Sequence, residues 1–121
     1  MRKAAFEALV RNAVEELPDY FLNIMTNVDF QVRRWPTKRQ VKESWLDADE
    51  TLLVLYEGYS LTTGFDGNMA PPDIITIFQG PTEEMCSSNA EVKNQVRDTV
   101  IHEVAHYFGI TDAELEDWGL A

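Results

Sequence analysis

The residues with chemistry to offer are His102, Glu103 and His106, in the run His102-Glu103-Val104-Ala105-His106-Tyr107-Phe108-Gly109-Ile110-Thr111-Asp112. On a helix the two histidines stand one turn apart on one face, with Glu103 beside them inside an arc of roughly 100°. Two neutral imidazoles so placed make half of a zinc site, each nitrogen about 2.0–2.1 Å from the ion. A rigid helix already holds them, so little ordering entropy is spent on capture. Zinc brings the pKa of a bound water to about 7. Glu103 is placed to accept that water's proton during attack on a carbonyl, and then to pass it to the leaving amine. The chain has only these two histidines, so a third protein ligand must be a carboxylate or a less usual group. Gly109 suits the left-handed position that ends a helix and turns the chain back. Asp112, three residues on, can then supply the third ligand. Asp112 also has a plainer reading: Thr111-Asp112-Ala113-Glu114 is a capping-box pattern in which an acid simply favours a helix start.

These residues need elements to position them. Val100, Ile101, Val104, Ala105 and Phe108 fall opposite the histidines and can seat the helix on a core. Ser88-Asn89-Ala90-Glu91 is a capping box that starts this helix near Asn89; Gly109 ends it, and residues 112–118 can form one last short helical turn. Upstream, residues 2–17 follow the helical period through Phe6, Leu9, Val10, Ala13, Val14 and Leu17. Pro18 stops that helix and opens a short second one over 19–25. Residues 28–33 alternate as a half-buried strand, broken by Trp35-Pro36. A weak helical signal covers 38–45, and 47–50 is an acidic turn without the glycine and further oxygen ligands of a calcium loop. Residues 51–56 and 73–78 read as strands, ended at Gly58 and at Gly80-Pro81, with a long surface loop over 60–72 between them. The order predicts a single α+β domain over residues 1–121, with a small mixed or antiparallel sheet packed against N-terminal helices and the C-terminal active-site helix.

Composition narrows the partners. Ten basic against 21 acidic residues give a formal net charge of −11, which argues against a nucleic-acid backbone or an anionic membrane. A basic or neutral peptide suits the charge better. No apolar run approaches the roughly 20 residues that span a bilayer, and Glu7 comes too early for a secretory leader. The single Cys86 excludes an internal disulfide and suits a reducing cytoplasm. It reads as an incidental thiol rather than a reactive one.

The run 102–112 has the form H-E-x-x-H-x-x-G-x-x-D. It resembles the metzincin zinc-peptidase signature, with Asp112 where most metzincins have a third histidine. With Leu52-Leu53-Val54-Leu55-Tyr56-Glu57-Gly58, Pro72-Asp73-Ile74-Ile75-Thr76-Ile77-Phe78-Gln79-Gly80-Pro81 and Arg97-Asp98-Thr99-Val100-Ile101, the chain resembles the small bacterial zincin-like metallopeptidases, cytoplasmic proteins of minimal size. The metzincin methionine turn follows the metal motif, and none of Met1, Met25, Met69 or Met85 stands in that place. The resemblance implies a zincin-like fold and a zinc-dependent peptidase, with metal ligands His102, His106 and Asp112 and general base Glu103. It also implies a peptide or protein substrate, which strand 73–78 could hold as the edge of a cleft by strand addition. The alternative is a non-catalytic peptide-binding module that keeps the fold and the metal; retention of Glu103 favours the peptidase, and a zinc hydrolase of another amide is a third reading. Tyr107, Tyr56, Tyr59 or an arginine could stabilise an oxyanion, although packing is the ordinary role for Tyr107.

Overall fold

The computed structural model describes residues 1–44, 51–58 and 72–120. The acidic turn, Tyr59 and nearly all of the 60–72 loop lie outside the described residues. The chain forms two compact units, residues 27–81 and residues 1–26 with 82–121.

The first unit carries a three-stranded mixed sheet in the order β1-β3-β2, built from β1 (Val28–Arg33), β2 (Val54–Glu57) and β3 (Asp73–Phe78). β1 pairs parallel with β3 from Val28–Asp73 to Arg33–Phe78, and β2 pairs antiparallel from Val54–Ile77 to Glu57–Ile74. The strand expected to line a cleft edge is therefore the central one. Both of its ladders are occupied, so a peptide cannot add to β3; among the described residues β1 and β2 border the sheet. Ile75, Thr76, Ile77 and Phe78 are all buried although neighbours point to opposite faces. That near-continuous apolar run is the mark of a strand covered on both sides.

After β1 the chain turns at Arg34 and Trp35 and enters α3 (Lys38–Glu43) through a capping box between Thr37 and Gln40. Gly80 was expected to end β3 with Pro81. Instead the chain passes straight into a short helix, α4 (Gln79–Glu84). Pro81 is tolerated there because the first turn of a helix leaves its N–H groups without helical partners anyway. Gly80 is needed for a different reason. Its N–H donates to the Arg34 carbonyl at 2.8 Å, and a Cβ on it would lie 2.5 Å from Trp35 Cε2.

The second unit is helical. α1 (Lys3–Glu15) buries Phe6, Val10 and Ala13, and α2 (Asp19–Ile24) buries Phe21. The helix of interest begins as α5 (Asn89–Asp98), where the Ser88 hydroxyl accepts from the Glu91 N–H at 3.2 Å. Glu91 reaches back to the N–H of Ser87 rather than Ser88, so only half of the expected box forms. Residues Thr99–Val104 then widen into a π-helical segment before α6 (Ala105–Tyr107) closes the rod. Val92, Val96, Thr99, Val100, Ile101, Val104 and Ala105 form its buried face, against which α1 packs. Phe108 is only half-buried, edge-on to Phe21 with ring centroids 6.1 Å apart. α7 (Asp112–Asp117) follows, and Trp118 beyond it meets Tyr20 at 5.7 Å. Among the described residues no helix is long and apolar enough to cross a membrane.

Candidate metal centre

The site is assembled by the turn that ends α6. Gly109 has φ +74°, the left-handed conformation that an L residue adopts only under strain. The Gly109 N–H donates to the His106 carbonyl at 3.1 Å and the Ile110 N–H to that of Ala105 at 3.0 Å. This pair is the Schellman arrangement, with Ile110 buried beside the helix end. The chain consequently doubles back, and α7 starts close to the residues it has just left.

The capping box of the plainer reading forms at the start of α7. Thr111 is the N-cap. Its hydroxyl accepts from the Glu114 N–H at 3.2 Å, and Glu114 Oε1 lies 3.3 Å from the Thr111 N–H. Thr111 and Glu114 do the capping, and Asp112 is an acid in the first turn, where it favours the helix start electrostatically. Asp112 Oδ1 also lies 2.9 Å from His106 Nε2. Two ligands of one tetrahedral zinc, each about 2.0–2.1 Å from the ion, are about 3.3 Å apart. The 2.9 Å contact is a direct hydrogen bond, so the two side chains would have to move apart to share an ion.

His102 is oriented differently. Its Nε2 lies 3.2 Å from Asp98 Oδ1, one turn earlier on α5. Among the described residues no three His, Cys, Asp or Glu side chains gather closely enough to enclose a metal ion as they lie. The structure thus brings together His106 and Asp112, and leaves His102 on a separate carboxylate. Glu103 is exposed on the same segment. Two imidazoles and a carboxylate are donor types that suit zinc; of the three residues, the structure brings His106 and Asp112 together.

Of the groups that could face an oxyanion, Tyr107 is 44 % exposed. The Tyr56 hydroxyl donates to Asp73 within the sheet unit. Burial first, then the hydrogen bond to Asp73 and its charge, push that phenol up to about 12. Arg97 is paired with Glu16 at 2.9 Å and Arg39 with Glu43 at 2.8 Å. Burial, helped by the charge of Glu91, raises the Cys86 thiol, which agrees with an unreactive cysteine. Asp98 was missed in the sequence, although its four-residue spacing from His102 repeats the spacing of the two histidines.

A family model of zincin-like metallopeptidases matches residues 25–120. The chain belongs to the zincin-like metallopeptidase family. The match spans both units, from the end of α2 through β1, β3 and the histidine helix to the end of α7. No curated protein matches the chain. Family membership accords with the mixed α+β architecture, and zincins as a family use zinc.

Proposed function

We propose that the protein is a zinc-dependent peptidase in which His102, His106 and Asp112 hold the metal and Glu103 is the general base. The observation that carries this reading is the 2.9 Å approach of Asp112 Oδ1 to His106 Nε2 across the Gly109 turn. A helix-start acid has no need of that contact. A zinc ion supplies Lewis acidity towards a peptide carbonyl and acidifies water. His102, His106 and Asp112 would hold the ion and leave room for the water that hydrolysis requires. Glu103, adjacent to His102 and exposed, takes the proton of the attacking water and returns it to the departing amine. A purely structural zinc would have no use for a base there. The net charge of −11 favours basic or neutral peptides over acidic ones.

Glu103→Gln tests the assignment, because glutamine keeps the shape and loses the proton acceptor. Metal content and fold should survive while cleavage of a peptide turned over by the wild type falls about 10²–10⁴-fold. A Glu103→Gln protein that cleaves at the wild-type rate defeats the mechanism. Zinc bound stoichiometrically without cleavage of any peptide in a broad library would point to a binding module on the same fold.

A further inference from the structure

Positive charge is unevenly placed along this chain. Residues 33–42 hold Arg33, Arg34, Lys38, Arg39 and Lys42, five of its ten basic residues and none of its 21 acidic ones. The stretch runs from the end of β1 through the Trp35 turn into α3. Two features set it apart from an ordinary solvated strand end. First, α3 buries no residue, although a helix of this length is far too short to stand alone. Lys38, Val41 and Lys42 fall at i, i+3 and i+4 and share one face. All three are exposed, Val41 at 40 %. Glu43 does not neutralise that face, because Arg39 holds it at 2.8 Å. Second, Trp35 is 50 % exposed yet packed on Gly80, where a Cβ would lie 2.5 Å from the indole. A half-exposed ring that is already held loses little freedom when its open side is covered. Arg33 is exposed at the strand end, and Arg33, Lys38 and Lys42 enter no ion pair among the described residues.

We propose that residues 33–42 form a docking surface for a short acidic segment of a partner protein. Carboxylates of that segment meet Arg33, Lys38 and Lys42, and apolar side chains cover Trp35 and Val41. Charge complementarity selects the occupant, and the rest of the chain limits its length. At physiological salt, charges are screened beyond about 8 Å. A short segment therefore feels the local positive charge and little of the net −11. A nucleic-acid strand or an anionic bilayer carries its charge far beyond ten residues and is repelled by that net charge. The surface belongs to the sheet unit and does not depend on the zinc reading. The preference for basic or neutral peptides concerns the histidine motif, not this stretch.

The probe is a fluorescein-labelled glutamate-rich peptide carrying two leucines, read by anisotropy against the whole chain at low salt. Its glutamine counterpart, an oligothymidylate of equal charge and phosphatidylserine vesicles are the other arms. The acidic peptide should bind more tightly than the other three and weaken as salt rises. Lys38→Glu combined with Lys42→Glu should loosen it about tenfold, two exposed pairs at about two- to five-fold each. Trp35→Ser should loosen it as well. Lys93→Glu, on α5, should change it about twofold or less. If circular dichroism shows the reversed variant unfolded, Lys38→Gln with Lys42→Gln replaces it, with a loss of about fivefold. No binding of the acidic peptide, equal binding of the glutamine peptide, or equal losses from the α3 and Lys93 changes overturn the proposal. Tighter binding of oligothymidylate or of vesicles also overturns it, in favour of a nucleic-acid or a membrane surface.

Discussion

At the scale of single residues, the site depends on which side chains are already committed. Asp112 contributes to the helix start only as a first-turn acid, because Thr111 and Glu114 bond each other. Asp112→Ala should therefore cost little stability, within the roughly 0.3–1 kcal/mol of a first-turn acid. Zinc affinity should fall by more than the tenfold typical of an outer-shell partner, while Asp112→His should restore much of it. A variant with lost stability and unchanged zinc affinity would return Asp112 to a helix-start role. Tyr56 is committed in the opposite sense. Its ordinary phenol value near 10 is raised to about 12 by burial and by Asp73. The folded state holds the proton more tightly than the unfolded chain, so this contribution to stability is intact below about pH 10 and disappears as pH rises through about 12. Absorbance titration of the four tyrosines should show one ionising near pH 12, and Tyr56→Phe should remove that late step. A titration in which all four ionise together near pH 10 would contradict it.

At the scale of elements, the glycine turns do the positioning. Gly109 and Gly119 both take left-handed φ values, +74° and +75°, and a Cβ on either would meet no atom within 4 Å. Replacement by alanine therefore costs backbone strain alone, about 1–2 kcal/mol. The two sites should match in denaturant midpoint and differ in metal binding. Gly109→Ala should weaken zinc because that turn joins His106 to Asp112, whereas Gly119→Ala should leave it unchanged. Equal zinc affinity in the two variants would mean that the turn does not set the ligand geometry. The Gly109 turn and the strands β1 and β3 were legible because each rests on a local signal: glycine after a helical period, or alternation bounded by breakers. The π-helical Thr99–Val104 was not, since buried Val100, Ile101, Val104 and Ala105 suit an ordinary turn as well as a wide one. Nor was α4, where Gly80-Pro81 has the form of a stop and a first helical turn absorbs it. The lateral place of β3 was misread from chain order, although Ile74-Ile75-Thr76-Ile77-Phe78 has the apolar density of a central strand. Likewise the motif gave His102, Glu103, His106 and Asp112 as candidates, but it could not say that His102 would face Asp98.

At the scale of the molecule, a net charge of −11 on 121 residues means that any divalent cation stabilises the fold somewhat by relieving self-repulsion. Metal binding at the histidine motif has to be separated from that background. Magnesium supplies the background alone, because it prefers oxygen donors and sheds its water reluctantly, while imidazole favours zinc. Zinc at about 100 times its dissociation constant should add about 2.7 kcal/mol to the folded state. For a chain of this size that raises the melting temperature by about 10 °C. Magnesium at the same concentration should add far less, and a chelator should return the zinc form to the metal-free midpoint. The His106→Ala protein should keep the magnesium response and lose the zinc-specific part, since only His102 and Asp112 of the proposed ligands would then remain. Equal shifts from zinc and magnesium in the wild type would reduce the metal response to bulk electrostatics and leave the His106–Asp112 contact as an ordinary hydrogen bond.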